Sequence, residues 1–263
     1  MSKLVGLFPA AGRGSRLGII PCSKEIMPLG FQSSVKSTRE IWSPVTTIET
    51  HLNAFHLAGV EQIGIVIGQD KWDIVRYLGN GERFGLPIAY FYQEQLLGMP
   101  FALDLAYAWV KDATILFSMP DTLITPLNSI AGLAKHHETN EADVTLGLFQ
   151  TSTPQKFGMV ELDASGAIVG FVDKPAKTDL KLMWGCAAWS PKFTQFMHDY
   201  LEESSIPDRE VVLSDLFLAA LKAGHHFEPY QLTNGHYHDI GTPESFQSAV
   251  YDLARQQVSD EFD

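Results

Sequence analysis

A loop rich in glycine and carrying two positive charges follows the first apolar segment of the sequence. Within FPAAGRGSRLGIIPCSKEIMPLG (residues 8–30), Gly12 and Gly14 permit positive φ angles and a close approach of backbone N–H groups to a ligand. Arg16 adds a planar fork of donors, and Lys24 adds a compact ammonium group. Backbone amides and cations together are suited to phosphate oxygens, so the loop is a candidate phosphate-binding site.

Three interpretations of this loop compete. The dinucleotide-binding fingerprint G-x-G-x-x-G fails because Leu17 occupies the place of the third glycine. A Walker loop fails as well, since no Gly-Lys-Ser/Thr triplet follows. When the loop is considered alone, a glycine-rich turn with two solvated cations explains it as well as phosphate binding does.

The elements that must position the loop follow a βαβ pattern through the first 150 residues. Nearly continuous apolar segments of strand length, typical of a parallel sheet covered by helices, occupy residues 4–8, 63–68, 88–92, 114–119 and 144–149. Residues 158–175 instead alternate around Asp-Ala-Ser-Gly and predict an antiparallel hairpin, with a further strand near 182–189. We therefore predict an α/β fold, a doubly wound and mostly parallel sheet with an inserted antiparallel subdomain, in a single domain over residues 1–263. In such sheets ligands bind beyond the carboxyl ends of the strands, which is where the loop lies.

Further motifs follow the loop in a set order. The loop itself contains Pro-Ala-Ala-Gly-x-Gly-Ser-Arg-Leu and then Ser-Lys-Glu-x-Met-Pro-Leu. After it come YQEQLLGMPFAL, FSMPDTLI, FGMVELDASGAIVGFVDKP, EVVLSDLFLAAL and YHDIGTPESF, at residues 92–103, 117–124, 157–175, 210–221 and 237–246. Together these segments resemble the sugar-1-phosphate nucleotidyltransferases, the enzymes that make dTDP-glucose, UDP-glucose and related nucleotide sugars. The resemblance covers nearly the whole chain and implies the Rossmann-like fold of nucleotide-diphospho-sugar transferases.

The resemblance implies a reaction between two phosphorylated substrates. A phosphate oxygen of a sugar 1-phosphate attacks the α-phosphorus of a nucleoside triphosphate, and pyrophosphate leaves. Because the nucleophile is already an anion, such a site needs positioning cations and Mg²⁺ rather than a general base. The implied catalytic residues are Arg16, Lys24, Asp121, Lys174 and Asp239. Of these, Asp121 and Asp239 are the implied Mg²⁺ ligands.

The resemblance also assigns residues to each substrate. The implied nucleotide-binding residues are Ala10, Ala11, Gly12, Gly14, Ser15, Arg16, Gln93 and Gly98. Gln93 offers both a donor and an acceptor, which suits the Watson–Crick edge of a pyrimidine. The implied sugar-phosphate residues are Gly158, Asp173, Lys174 and Gly185. Residues 1–150 would then mainly bind the nucleotide, and residues 151–241 mainly the sugar.

Several alternatives remain open at the level of sequence. Glucose 1-phosphate with dTTP or UTP is the first expectation, and a cytidylyltransferase acting on another phosphorylated substrate is the second. The spacing between Arg16 and Lys24 is about two residues shorter than is usual in the family, which favours a third hypothesis, a catalytically silent protein that binds nucleotide sugars. The histidines His236 and His238 beside Asp239 raise the idea of zinc, but no convincing third ligand lies on the same face.

Composition limits the partners of the chain. The formal net charge is −12 and the isoelectric point is about 5.1, so we expect neither nucleic-acid nor anionic-membrane binding. Cys22 and Cys186 have no metal-binding or redox spacing, and the apolar run at the start is too short for a signal peptide or a membrane span. We therefore expect a cytoplasmic protein, with homo-oligomers left open by the resemblance.

Overall fold

The computed structural model describes residues 3–36, 39–203 and 210–260. In these ranges, strands β1 to β13 are Leu4–Ala10, Pro28–Lys36, Arg39–Thr46, Gln62–Ile67, Ile88–Tyr92, Thr114–Ser118, Thr122–Thr125, Val144–Gln150, Gly158–Leu162, Ile168–Asp173, Leu182–Trp189, Phe227–Gln231 and His236–Asp239. Helices α1 to α8 are Thr47–Leu57, Trp72–Leu78, Met99–Asp104, Tyr107–Val110, Ser129–Asn140, Pro191–Glu203, Leu213–Lys222 and Pro243–Asp260. Short 3-10 turns cover Ser15–Leu17, Lys24–Ile26, Glu82–Phe84 and Pro154–Lys156.

The central sheet is mostly parallel, as predicted. Strand β1 pairs in parallel with β4 on one side and β6 on the other, and β4 pairs in parallel with β5. On the far side of the sheet, β12 pairs in parallel with β8. The strand expected near residues 182–189 is β11, which lies between β6 and β8 and is antiparallel to both. All residues of β11 from Met183 to Trp189 are buried, which fits its place in the middle of the sheet.

Two hydrophobic cores cover the two faces of this sheet. Alternate residues of β1 divide between them, since Val5 and Leu7 pack into one core and Phe8 and Ala10 into the other. The first core includes side chains of α3, α4, α6 and α7, and the second includes side chains of α1, α2 and α5. Helices on both faces confirm the doubly wound architecture.

The remaining strands form a hairpin at one edge of the central sheet and two separate two-stranded sheets. The predicted hairpin is confirmed as β9 and β10, in which Gly158 pairs with Asp173. The hairpin joins the central sheet where Met159 pairs with Met183 of β11. The short strands β7 and β13 form a separate two-stranded sheet, and β2 and β3 form another.

Candidate active site

The two predicted metal ligands are brought together by the pairing of β7 with β13. Asp121 directly precedes β7, and Asp239 ends β13 opposite Thr122. The N–H group of Ile240 donates to the carbonyl oxygen of Asp121 at 3.2 Å, which extends the pairing by one step. Two carboxylates from distant parts of the chain therefore line one cleft of about 530 Å³.

Each of these carboxylates contacts a cation of the glycine loop. Lys24 Nζ donates to Asp121 Oδ2 in a close ion pair. The Arg16 guanidinium lies 3.8 Å from Asp239 Oδ2, whose partner oxygen accepts the N–H of Gly241 at 2.8 Å. These two ion pairs thus join four of the five predicted catalytic residues, and they show that the loop is long enough for Lys24 to reach Asp121.

Lys24 and Arg16 differ in their exposure to solvent. The Lys24 side chain is 11% exposed, whereas 63% of the Arg16 side chain is accessible. Burial disfavours the ammonium form of Lys24, but the neighbouring carboxylates, led by Asp121, outweigh this cost and raise the pKa of Lys24. Lys24 therefore stays positively charged at neutral pH, as an electrostatic role requires.

Four of the eight predicted nucleotide-binding residues line a second, larger cleft. This cleft of about 610 Å³ is lined by Ala11, Gly12, Gly14 and Lys24 from the loop and by the largely buried Gln93 after β5. Gly14 has a φ of 65°, the left-handed conformation that the sequence predicted for a glycine. The predicted residues Ala10 and Ser15 lie outside this lining: Ala10 is buried at the end of β1, and Ser15 begins an exposed 3-10 turn.

A passage of about 350 Å³ joins the two clefts. It shares Gly12, Lys24 and Gln93 with the larger cleft and shares Asp121 with the smaller one. The ion pair between Lys24 and Asp121 consequently lies at the junction of the clefts. Gly98 also lines this passage and has a φ of 119°. A Cβ at this position would lie 2.2 Å from the Val211 carbonyl oxygen, so the close approach of the two backbones requires a glycine.

The predicted sugar-phosphate residues lie mostly in the 530 Å³ cleft. Gly158, Asp173 and Lys174 line it, and Lys174 Nζ lies 3.7 Å from Asp173 Oδ2. Lys174 has a φ of 43°, a conformation that a lysine seldom adopts, and its N–H donates to the carbonyl of Phe157 at 2.9 Å. Gly185 is different: it is buried on β11, where a Cβ would lie 2.6 Å from Tyr237 Cδ2, and it is not part of the cleft lining.

Sequence reasoning missed several polar residues next to the glycine loop, of which Ser23, Lys71 and Asp73 line the larger cleft. Glu25 and Lys71 form a buried ion pair with a distance of 2.7 Å between Oε2 and Nζ. Asp73 accepts two hydrogen bonds from Ser23, one from its N–H and one from its hydroxyl, each at 2.6 Å. A charged pair of such low exposure is not expected from charge pattern alone.

His51 is a further buried residue that sequence reasoning missed. Its Nε2 lies 2.9 Å from the carbonyl oxygen of Thr122, and the Ser118 hydroxyl donates to Nδ1 at 3.0 Å. This pattern fits a neutral ring that carries its proton on Nε2. Burial lowers the pKa of His51 to about 4, although the bond to Thr122 opposes the shift. His51 therefore ties α1 to both ends of the turn that carries Asp121.

The neutral state of His51 predicts a dependence of stability on pH. The pKa of His51 falls from an ordinary 6.5 to about 4 on folding. Between pH 4 and pH 6.5 the unfolded chain therefore binds a proton at His51 that the folded chain does not bind, so stability rises with pH in this window. We expect His51→Gln to reduce the slope of the unfolding free energy against pH in this window by up to about 1.4 kcal/mol per pH unit. Urea unfolding from pH 7 to pH 4 measures this slope. His56→Gln, an exposed position on the same helix, is the control, and equal slopes in both variants would contradict the assignment.

In the described parts of the chain, no helix is long and apolar enough to cross a membrane.

Comparison with known proteins identifies the family. A sequence profile of the nucleotidyl transferase family matches residues 6–256, almost the full length of the chain. The chain belongs to the nucleotidyl transferase family. The predicted resemblance is confirmed at this level.

Relatives within the family are named as different transferases. The low-salt glycan biosynthesis nucleotidyltransferase of Haloferax volcanii is 25% identical over 250 residues, which cover 93% of this chain and 64% of the relative. A glucose-1-phosphate thymidylyltransferase of Streptomyces griseus is 30% identical over 142 residues, covering 53% and 39%. The mannose-1-phosphate guanylyltransferase of Mycobacterium tuberculosis is 28% identical over 215 residues, covering 78% and 55%. The chain thus spans less than two thirds of the length of each of these relatives.

Solved structures of the same fold match the whole chain. A protein from Bacillus anthracis assigned as a glucose-1-phosphate thymidylyltransferase superposes with a TM-score of 0.81 at 22% identity, covering 96% of this chain and 95% of the other. A UDP-glucose pyrophosphorylase complexed with UDP-glucose gives a TM-score of 0.77 at 18% identity, covering 97% and 100%. At these identities the similarity concerns the fold, which confirms the predicted α/β architecture.

Proposed function

We propose that this protein transfers a nucleotidyl group from a nucleoside triphosphate to a sugar 1-phosphate and releases pyrophosphate. The observation that carries the proposal is the position of the Lys24–Asp121 ion pair at the junction of two clefts, with Asp239 and Arg16 beside it. A transfer between two substrates requires one pocket for each of them and a charged centre where their phosphates meet.

The cations have distinct roles in this proposal. Lys24 neutralises charge at the α-phosphate, since its ammonium is buried at the junction and reaches Asp121. Arg16, more exposed, offers its planar fork to the phosphates that leave as pyrophosphate. Lys174 binds the phosphate of the sugar, because it lines the smaller cleft with Asp173 and Gly158. The attacking oxygen is already charged, so no side chain has to remove a proton.

We propose that Mg²⁺ completes the site between Asp121 and Asp239. Two carboxylates supply the hard oxygen donors that this ion prefers, and Mg²⁺ commonly binds through one or two carboxylates together with substrate phosphates. The described residues contain no group of three or more His, Cys, Asp or Glu side chains suited to a metal, so the remaining ligands would be phosphate oxygens and water. When bound, the ion would offset charge on the phosphates.

The division of the chain between the substrates is also part of the proposal. The lining of the larger cleft comes entirely from residues 11–96, in keeping with a nucleotide-binding part within residues 1–150. The smaller cleft draws Gly158, Asp173 and Lys174 from residues 151–241, which fits a sugar-binding part. It also contains Arg16 and Asp121, so the reacting phosphates lie between the two parts.

Glucose 1-phosphate with dTTP or UTP is the substrate pair that we propose first. Motif resemblance and the names of the Streptomyces and Bacillus proteins support this pair. A matrix of five nucleoside triphosphates (ATP, GTP, CTP, UTP and dTTP) against glucose, mannose, galactose and N-acetylglucosamine 1-phosphates, scored by pyrophosphate release, tests it. We expect release only where both substrates are present. Tight binding of a nucleotide sugar without release in any well would instead support the silent regulator.

Base choice is expected to depend on Gln93. The side chain is 6% exposed in the larger cleft, where its amide can pair with the edge of a base. We expect Gln93→Ala to reduce the ratio of kcat/KM values between the best pyrimidine and the best purine triphosphate by about tenfold or more, because a buried donor and acceptor are lost. Gln150→Ala, at an exposed strand end, serves as the control. Unchanged ratios across the nucleotide panel would place base recognition elsewhere.

A further inference from the structure

The two neighbours of Lys24 in sequence are bound by residues at the start of α2. These are Asp73, in the first turn of the helix, and Lys71, directly before the helix. Ser23 donates its N–H and its hydroxyl to the two carboxylate oxygens of Asp73, at 2.6 Å each. Glu25 accepts a hydrogen bond from Lys71 Nζ at 2.7 Å. The backbone of the short segment that carries Lys24 is thus fixed from one side by a single neighbouring segment.

The contacts of Glu25 are almost completely removed from water. Glu25 is 1% exposed and Lys71 is 5% exposed. The carbonyl of Glu25 also accepts a hydrogen bond from the Thr47 hydroxyl at 3.2 Å, which attaches the same residue to α1. A buried ion pair adds little net stability compared with apolar side chains of similar volume, because desolvation offsets the attraction. The pair of Glu25 and Lys71 instead fixes the position of Glu25, the residue that follows Lys24.

The position of the Lys24 side chain depends on the position of this backbone segment. Lys24 begins the 3-10 turn Lys24–Ile26, and its side chain crosses to Asp121 at the junction of the clefts. A lysine side chain is a flexible four-carbon stem that carries a single charge. The position of its ammonium group is therefore defined only when the backbone that carries it is held in place. The segment before it, from Gly18 to Cys22, contains no helix or strand that could do this.

We propose that Lys71 and Asp73 are positioning residues for nucleotidyl transfer, which act through Glu25 and Ser23 to hold Lys24 at the junction of the two clefts. The proposal rests on the proposed function for its kinetic consequence. The placement of Lys24 itself can be measured without turnover.

The first test measures the accessibility of Lys24 by trace acylation with N-hydroxysuccinimidyl acetate, followed by peptide mass spectrometry. In the wild-type chain we expect slow labelling of Lys24, whose side chain is 11% exposed. Lys71→Met should increase the labelling of Lys24 several-fold and leave other lysines unchanged, since loss of the ion pair frees the turn locally. Lys192→Met is the control. It removes a lysine from an ion pair of equal length with Asp143, the residue before β8, and it should leave Lys24 protected.

The second test separates positioning from stability. Lys71→Met leaves the Glu25 carboxylate buried without a cation and should lower the unfolding temperature. The double variant Glu25→Gln with Lys71→Met removes both charges and should recover much of that stability. We expect both variants, and Asp73→Ala, to lower kcat by about tenfold to a hundredfold with a smaller change in KM for the nucleotide, because a misplacement of about 1 Å can cost that much.

The outcomes distinguish the proposals. Recovery of kcat together with stability in the double variant would reduce Lys71 to a structural role and overturn the inference. Unchanged labelling of Lys24 in both Lys71→Met and Asp73→Ala would overturn it as well. If no substrate pair gives pyrophosphate, the proposed function fails, and the labelling result alone decides whether Lys71 and Asp73 position Lys24.

Discussion

Asp121→Asn and Asp239→Asn are each expected to lower turnover by about a hundredfold to a thousandfold, on the scale of removing one group that stabilises transition-state charge. Asparagine keeps the volume of the side chain and one oxygen, so the N–H of Gly241 retains its acceptor in the second variant. What disappears is negative charge at the site proposed for Mg²⁺. Initial rates of pyrophosphate release at saturating substrates, measured over a range of Mg²⁺ concentrations, check this expectation.

The magnesium dependence makes this prediction specific. EDTA should abolish wild-type activity and added Mg²⁺ should restore it, while both variants should need more Mg²⁺ for their residual activity. Asp112→Asn is the matched control, because Asp112 is exposed before β6, away from the clefts. Wild-type turnover and an unchanged magnesium requirement in either site variant would remove that aspartate from the metal site.

Arg16→Ala is expected to reduce turnover by about a hundredfold and to leave thermal unfolding nearly unchanged. The side chain is 63% exposed and its distance to Asp239 is 3.8 Å, so its contribution to folding should stay within about 0.5 kcal/mol. We expect a larger effect on the reaction, because in the proposed transfer phosphate charge would develop in front of its guanidinium. Melting temperatures and initial rates measured on the same preparation separate the two effects.

Two further variants sharpen the expectation for the loop. Arg16→Lys should recover only part of the rate, since a point charge cannot reproduce a planar fork. Lys24→Ala should be as severe as Arg16→Ala, because Lys24 reaches Asp121 in spite of the short loop. Arg76→Ala, an exposed arginine near the end of α2, is the control. A harmless Lys24→Ala beside a severe Arg16→Ala would show that the lysine has another role.

The strand pattern and the glycine loop could be predicted because their signals are local. Continuous apolar runs identified β1, β4, β5, β6 and β8, and a Gly-x-Gly after β1 identified the turn in which Gly14 has positive φ. The hairpin β9–β10 followed from alternation around a turn sequence. Each of these features depends on residues close in sequence.

The assembly of the site depends on contacts that sequence spacing does not show. Asp121 and Asp239 meet because β13, a strand of four residues, pairs with β7 from far along the chain. Only the family resemblance placed the two together, since strands of four residues carry too little pattern to predict a partner. Gly185 shows another contact that spacing does not reveal: its missing side chain makes room for the ring of Tyr237, while its assignment to the sugar stays a prediction of the resemblance.

The buried charges are the other part that sequence could not supply. Lys71 and Asp73 read as ordinary polar residues at the start of a helix, where exposure is the usual expectation. The burial of Lys71 and the contacts of both residues with Glu25 and Ser23 arise because α2 packs against the turn that carries Lys24. His51 is similar, since one histidine in an amphipathic helix gives no indication that it binds the turn before β7.

The most direct test of nucleotidyl transfer follows oxygen atoms with the best substrate pair. The sugar 1-phosphate is prepared with ¹⁸O in its non-bridging phosphate oxygens, and the products of the wild-type protein with Mg²⁺ are examined by ³¹P NMR and mass spectrometry. If the sugar phosphate attacks the α-phosphorus, all of the label will be found in the nucleotide sugar, with one ¹⁸O in the bridge between its phosphates, and the pyrophosphate will carry none. Label in the pyrophosphate, or pyrophosphate released equally fast without the sugar 1-phosphate, would contradict transfer at this site.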